Sequence, residues 1–385
     1  MGVLTLALFI ALNPLEQKGI KHLYNLEFQA ALAVFEKLAR EEPTSPAGPH
    51  YTASALWMEE LTRRGAMSGE TFQSSRYWTS TRKEPPSASL VERFQAQVAE
   101  AKNRSETLLE SGDDDREAIY FLGATESVVS AFEATIRRSY FSAYRAGRRA
   151  NKHHERLLKL DPDYADANLV PGIYQYTLAT LPRSVKYFVL LIGIRGSKEK
   201  GIRLISRAAR EGKRATWGAT LLLTVIDTRE KRYHQALTNL KKLTTTFPKN
   251  PLFQLEQGWV HLLRKDWTSA HSVFESVQTK RLTRIPHYDQ VPHSLVLLRL
   301  GESRLFDARF GDALARLDEA LTLSDSPDGI RAMLHLRKGQ ALDGLQRRRE
   351  ARAEYETTVR LNTDKSSRKQ AKRYLKKPFS LGGKP

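Results

Sequence analysis

Three short stretches hold residue types that could do chemistry. In "KHHERLL", His153, His154 and Glu155 stand side by side. Imidazole and carboxylate bind zinc, but a helix offers two such groups to one ion at i and i+4. Neighbouring residues on a helix point about 100° apart, so these three do not close on one metal. In "GSKEKGIR", Gly196 and Gly201 have the internal spacing of a phosphate-cradling loop. That loop needs Lys and then Ser or Thr directly after the second glycine. Ile202 and Arg203 stand there, so the stretch reads as a glycine-broken turn between helices.

The third stretch, 137–159, is a basic run opposed only by Glu155. Arg138, Arg145, Arg149, Lys152 and Arg156 recur at spacings of seven, four, three and four, which forms one helical stripe. Tyr140, Phe141 and Tyr144 lie beside it. Such a stripe can hold lipid phosphates, nucleic acid or an acidic protein. The plainer reading is a solvated outer face, or one balanced by the acidic "GDDDRE" at 112–117. No nucleic-acid module accompanies it, so specific nucleic-acid binding is not expected. With no nucleophile–base pair, metal set or cofactor loop in view, neither an enzyme nor a cofactor is expected.

Composition narrows the classes further. The chain has 385 residues and no cysteine, which excludes disulfides, thiol nucleophiles and thiolate-bound metals. Lys and Arg number 62 against 43 Asp and Glu, a net charge of +19 that suits anionic partners or simply keeps the chain soluble. The start "MGVLTLALFIALNP" is apolar from Val3 to Leu12. It is too short to span a bilayer, which takes about 20 residues, and it fits the apolar region of a signal peptide. No basic residue precedes it and no clean small-x-small site follows. The alternative is a first helix packed on the rest, and export is favoured over a cytoplasmic chain. "YFVLLIGI" (187–194) lies between Lys186 and Arg195 and reads as a buried helix.

What must position these stretches is a recurring interval. Gly19, Gly258, Gly301 and Gly339 are each followed twelve residues later by an alanine: Ala31, Ala270, Ala313 and Ala351. Each glycine sits in one helical pattern and each alanine begins another. Four and seven residues after the alanines come Phe35 and Leu38, Phe274 and Val277, Leu317 and Ala320, Tyr355 and Thr358. That spacing lines one helix face. The glycine permits two antiparallel helices to cross closely, and the alanine keeps the facing wall small. Ala236, Leu240, Leu243 and Pro248 repeat the second half alone, and Pro43 and Pro248 stop their helices.

This register resembles the tetratricopeptide repeat, a helix–turn–helix unit of 34 residues; Ala236 to Ala270 is one such step. Leu15, Gln254, Leu297 and His335 stand where that family has an aromatic. The pattern covers 12–45 and 217–363; residues 46–212 are helical but off register. "HLYNLEFQAALAVFEKL", "LDPDYADANLVPGIYQY" and "GIRGSKEKGIRLISRAAREG" are together similar to a group of exported bacterial tetratricopeptide proteins with no established activity.

The expected fold is therefore all-α: a right-handed superhelical solenoid of antiparallel helix pairs. Its parts are an apolar leader or helix at 1–12, divergent repeats at 12–212 with a long loop at 65–88, regular repeats at 213–363, and a basic capping helix with tail at 364–385. The resemblance implies a protein or peptide partner on a concave face lined by the first helix of each repeat. By register the ligand positions are Leu252, Leu255, Trp259 and Leu262, then Leu295, Leu298, Glu302 and Leu305, then Met333, Leu336, Gln340 and Asp343. The Lys–Asn–Arg clamp for C-terminal carboxylates is missing. A scaffold for a protein or peptide is the first reading. A peripheral protein that holds anionic headgroups by its basic helices, with weak membrane association, is the second.

Overall fold

A computed structural model describes residues 12–65, 85–112, 114–181, 196–324, 326–363 and 365–381. The apolar start up to residue 11, most of the 65–88 loop and the 187–194 run lie outside them. The described residues form seventeen α-helices and no strand. None of these helices is long and apolar enough to cross a membrane. The chain divides into two compact units, Met1–Arg229 and Glu230–Pro385.

The first unit holds α1 (Pro14–Tyr24), α2 (Phe28–Glu41), α3 (Ala47–Arg63), α4 (Ala88–Ser111), α5 (Arg116–Phe132), α6 (Tyr140–Leu160), α7 (Leu169–Thr180), α8 (Lys198–Glu211) and α9 (Thr216–Arg229). The second holds α10 (Tyr233–Thr246), α11 (Pro251–Leu263), α12 (Trp267–Leu282), α13 (His293–Phe306), α14 (Phe310–Thr322), α15 (Asp328–Gly344), α16 (Arg348–Leu361) and α17 (Lys365–Lys376). Within each unit every helix packs on its successor, the local-contact pattern of a repeat stack. Helix starts follow the sequence: the side chains of Asn13, Ser87, Asp115, Ser197, Asn250 and Asp266 each accept a backbone N–H of the first turn. Pro14 and Pro251 occupy first-turn positions where no N–H is needed.

The twelve-residue interval has a sharper meaning than two small walls. A Cβ on Gly19 would stand 2.1 Å from the ring of Phe35, and one on Gly258 2.4 Å from Phe274. On Gly301 it would meet Leu317 at 2.9 Å, and on Gly339 Tyr355 at 2.5 Å. Each glycine receives the side chain four residues beyond the alanine, while the alanines themselves are fully buried. Between α7 and α8 two glycines face each other: Gly172 meets the Gly201 carbonyl, and Gly201 meets that of Gly172. Gly201 thus lies inside a helix at a close crossing and not in the turn expected from "GSKEKGIR".

Several connections between helices pass through a left-handed residue that is not glycine. Leu26, Lys231, Lys265, Ala308 and Gln346 all have φ between 60° and 64°. The longer connection from α12 to α13 folds back on its own repeat. Tyr288 is buried there, its hydroxyl donating to Gln254 Oε1 at 2.8 Å, and Arg281 Nε donates to the Val291 carbonyl at 2.8 Å.

Candidate functional site

The first helices of the second unit, α11, α13 and α15, carry a ladder of aromatic and charged side chains. The Arg299 guanidinium lies 4.9 Å from the ring centroid of Trp259 and donates to Glu302 Oε2 at 2.6 Å. Arg337 Nε donates to the other oxygen, Glu302 Oε1, at 2.8 Å. Arg337 also stacks over Phe306 and donates to Gln340 Oε1 at 2.9 Å. Glu302 is wholly buried. Burial pulls its carboxyl pKa up, but the two guanidiniums pull harder, and the net shift is downward. A buried carboxylate held between two cations fixes α13 against α15. Arg299 covers one face of the indole that α11 offers.

This ladder redistributes the positions assigned to a ligand by register. Leu262, Leu298, Leu305, Glu302, Gln340 and Asp343 are all buried within the unit. Leu298 and Leu305 are core residues, and Glu302 and Gln340 belong to the ladder. Asp343 anchors the end of the stack. Its Oδ2 accepts from the Tyr355 hydroxyl at 2.9 Å, from Arg348 at 3.0 Å and from the Phe379 backbone N–H at 2.8 Å. That holds the chain that follows α17. Leu252, Leu255, Trp259, Leu295 and Met333 are half-buried and keep one side outward.

The basic stripe is also sorted by the fold. Arg138 lies outside α6, in a left-handed corner (φ 56°) that ends a π-helical turn, Glu133–Arg137. Arg149 donates to both oxygens of Glu126, at 2.9 and 2.8 Å, and Lys102 reaches the same carboxylate. Burial raises the Glu126 pKa and the two cations lower it, with the lowering dominant. Arg156 approaches Asp114 at 3.9 Å, so the acidic stretch does balance one end. Arg145, Arg148 and Lys152 are exposed and form no ion pair among the described residues. In the "KHHERLL" stretch, His154 is buried and His153 and Glu155 point elsewhere. Gly123 leaves room for the His154 ring, Tyr120 meets it edge-on, and burial pushes its pKa down to about 3.

A buried polar cluster in the first unit was not legible in the sequence. Arg214, just before α9, donates to Glu16 on α1 through Nε at 3.0 Å and Nη2 at 3.1 Å, and to Glu117 on α5 at 3.2 Å. The Tyr51 hydroxyl donates to Glu16 Oε2 at 3.2 Å, and the Phe121 ring lies under the guanidinium at 5.0 Å. Asp166 Oδ1 accepts the backbone N–H groups of Lys213, Arg214 and Ala215, fixing the turn that presents Arg214. Glu16 and Arg214 are 198 residues apart. No helical period connects residues at that separation, and neither belongs to a recognisable motif.

Known proteins compare with this chain as follows. No curated protein matches the sequence. Among solved structures, yeast Tom70 is similar at 11% identity and TM-score 0.39, over 94% of this chain and 87% of Tom70. The human IFIT1 dimer with m7Gppp-AAAA is similar at 15% identity and TM-score 0.45, over 94% and 84%. A tetratricopeptide repeat protein from Parabacteroides merdae is similar at 13% identity and TM-score 0.31, over 84% and 97%. The family model described as Iml2/Tetratricopeptide repeat protein 39 matches residues 165–379, more than half of the chain. That range takes in α7 through α17 with their three glycine-bearing repeats at Gly258, Gly301 and Gly339, and the chain belongs to the Iml2/Tetratricopeptide repeat protein 39 family.

Proposed function

We propose that this protein is a non-catalytic scaffold and that its second unit takes a protein or peptide partner on the face made by α11, α13 and α15. One observation carries this reading. Leu252, Leu255, Trp259, Leu295 and Met333 remain half-buried at the ligand positions of the repeat, next to a ladder that holds the helices in place. Half-buried apolar side chains on a rigid frame lose little entropy when covered, the condition for an anchor that binds tightly. Leu255 and Trp259 are the contact residues in this reading. Leu262, Leu298, Glu302, Leu305, Gln340 and Asp343 form the wall behind them. An amphipathic helix or an extended apolar segment fits such a face.

Photo-crosslinking amino acids placed at 252, 255, 295 and 333 test the assignment, with the exposed outer positions 316 and 319 as controls. The expected result is one protein captured from all four inner positions and from neither outer one. Equal capture from both faces, or none from the inner one, would sink the proposal.

A further inference from the structure

The first turn of α6 exposes three aromatic rings. Phe141 is 72% exposed, Tyr140 48% and Tyr144 42%. Phe141, Arg145, Arg148 and Lys152 follow at spacings of four, three and four, so they share one face. The opposite face, Ala143, Ala146, Ala150 and Leu157, is buried against the unit. Arg145 leans over the Phe141 ring at 5.9 Å. Arg149, one position off this face, is neutralised by Glu126, whereas Arg145, Arg148 and Lys152 have no carboxylate partner among the described residues. The helix therefore presents an apolar tip followed by unpaired cations.

We propose that this face of α6 docks on a bilayer rich in anionic lipid headgroups. Phe141 enters the acyl boundary, Tyr140 and Tyr144 sit at headgroup level, and Arg145, Arg148 and Lys152 hold lipid phosphates and carboxylates. On such a helix the buried apolar area and the attraction of cations to anionic lipids add to surface binding. Tyrosine suits the boundary because its ring is apolar and its hydroxyl polar. Single-stranded nucleic acid is the weaker fit. Stacking successive bases needs aromatics interleaved along the path of the backbone. Here all three rings are gathered on one turn while the cations continue beyond it. The proposal is independent of the partner face on the second unit.

The test is co-sedimentation of the full chain with phosphatidylcholine vesicles, with and without about 30% phosphatidylserine, at about 0.1 M salt. Binding is expected only with phosphatidylserine and should be lost near 0.5 M salt. Replacing Arg145, Arg148 and Lys152 together by Gln should weaken it roughly 100-fold, about fivefold for each cation removed. Arg145→Lys with Arg148→Lys should bind like the parent. Because the chain has no cysteine, Phe141→Cys takes a single environment-sensitive label. Its emission should shift to the blue on the acidic vesicles. All these residues are exposed, so unchanged melting of the variants is expected and checks their fold. The proposal is overturned by equal binding to neutral vesicles or by an unshifted label. It is equally overturned if binding is lost with Lys369, Lys372 and Lys376 of α17 but not with the α6 cations. A single-stranded RNA bound through the α6 cations, with vesicles ignored, would reassign the face to nucleic acid.

Discussion

The ring of Phe274 fills the space that a side chain on Gly258 would need, its Cε1 lying 2.4 Å from where a Cβ would stand. Glycine inside a helix ordinarily costs about 1 kcal/mol relative to alanine. Gly258→Ala should nevertheless destabilise the second unit, because the fully buried Phe274 ring must shift to admit the new methyl group. Overpacking of this kind costs about 1–3 kcal/mol. Gly311, in the first turn of α14, has open space around it. Gly311→Ala should therefore stabilise, by about 0.4–1 kcal/mol. Urea unfolding followed by circular dichroism checks both; a Gly258→Ala chain as stable as the parent would refute the packing argument.

The helix pairs were legible because glycine, alanine and aromatic recur at fixed spacing, and that spacing is set by helix geometry alone. What the glycine faces was less legible. Phe35, Phe274, Leu317 and Tyr355 read as one helix face, but their insertion under the preceding glycine depends on the crossing of two helices. The left-handed turns were hidden as well, since Leu26, Lys231, Lys265, Ala308 and Gln346 carry no chemical mark of that backbone.

The ligand positions suffered from a different ambiguity. Register assigns Leu255 and Leu298 to equivalent places, yet one is half-buried and the other wholly buried. Burial at such a position depends on how closely neighbouring side chains pack over it, which register alone does not encode. Glu302 shows the same limit: a carboxylate on a predicted helix face gives no sign that two arginines, one of them on another helix, will enclose it.

Replacing Glu302 should be among the most damaging changes in the second unit. Glu302→Gln leaves two guanidiniums, Arg299 and Arg337, without their anion in a buried site. Breaking a buried pair in this way costs about 3–5 kcal/mol. The carboxylate titrates lower in the folded chain than in the unfolded one, so it stabilises fully above the unfolded value of about 4.3. That contribution is lost as the pH falls through the lower folded value. Acid unfolding curves should show this loss in the parent and a flatter dependence in Glu302→Gln. Identical curves would contradict the ladder.

Arg214→Ala should free the N-terminal helix. Glu16 is 1% exposed and, among the described residues, Arg214 is its one cation, so the variant leaves a buried carboxylate with the Tyr51 hydroxyl. The expected loss is about 3–5 kcal/mol. Hydrogen exchange should quicken in α1 and at the start of α9 while the second unit keeps its protection. Uniform exchange across α1 in parent and variant would mean that apolar packing by Ile20 and Leu23 holds the helix without the clasp.

Two buried histidines make the first unit sensitive to mild acid. Burial lowers the pKa of His154 to about 3; for His50, burial and then the Arg214 charge lower it to about 3. Both rings are neutral in the folded chain, and His50 Nδ1 lies 3.1 Å from Thr125 Oγ1. An unfolded histidine takes up its proton near pH 6.5. Between that value and about 3 the unfolded state binds more protons, so stability falls as the pH is lowered across this window. Each ring contributes a slope of up to about 1.4 kcal/mol per pH unit. His154 stands against Gly123 as Phe274 stands against Gly258, so His154→Phe should fit the site and remove its share of the slope. Urea midpoints at pH 7 and pH 5, taken on the parent and on His154→Phe, measure the difference. A parent whose midpoint is the same at both values would show that neither ring is held neutral by its burial.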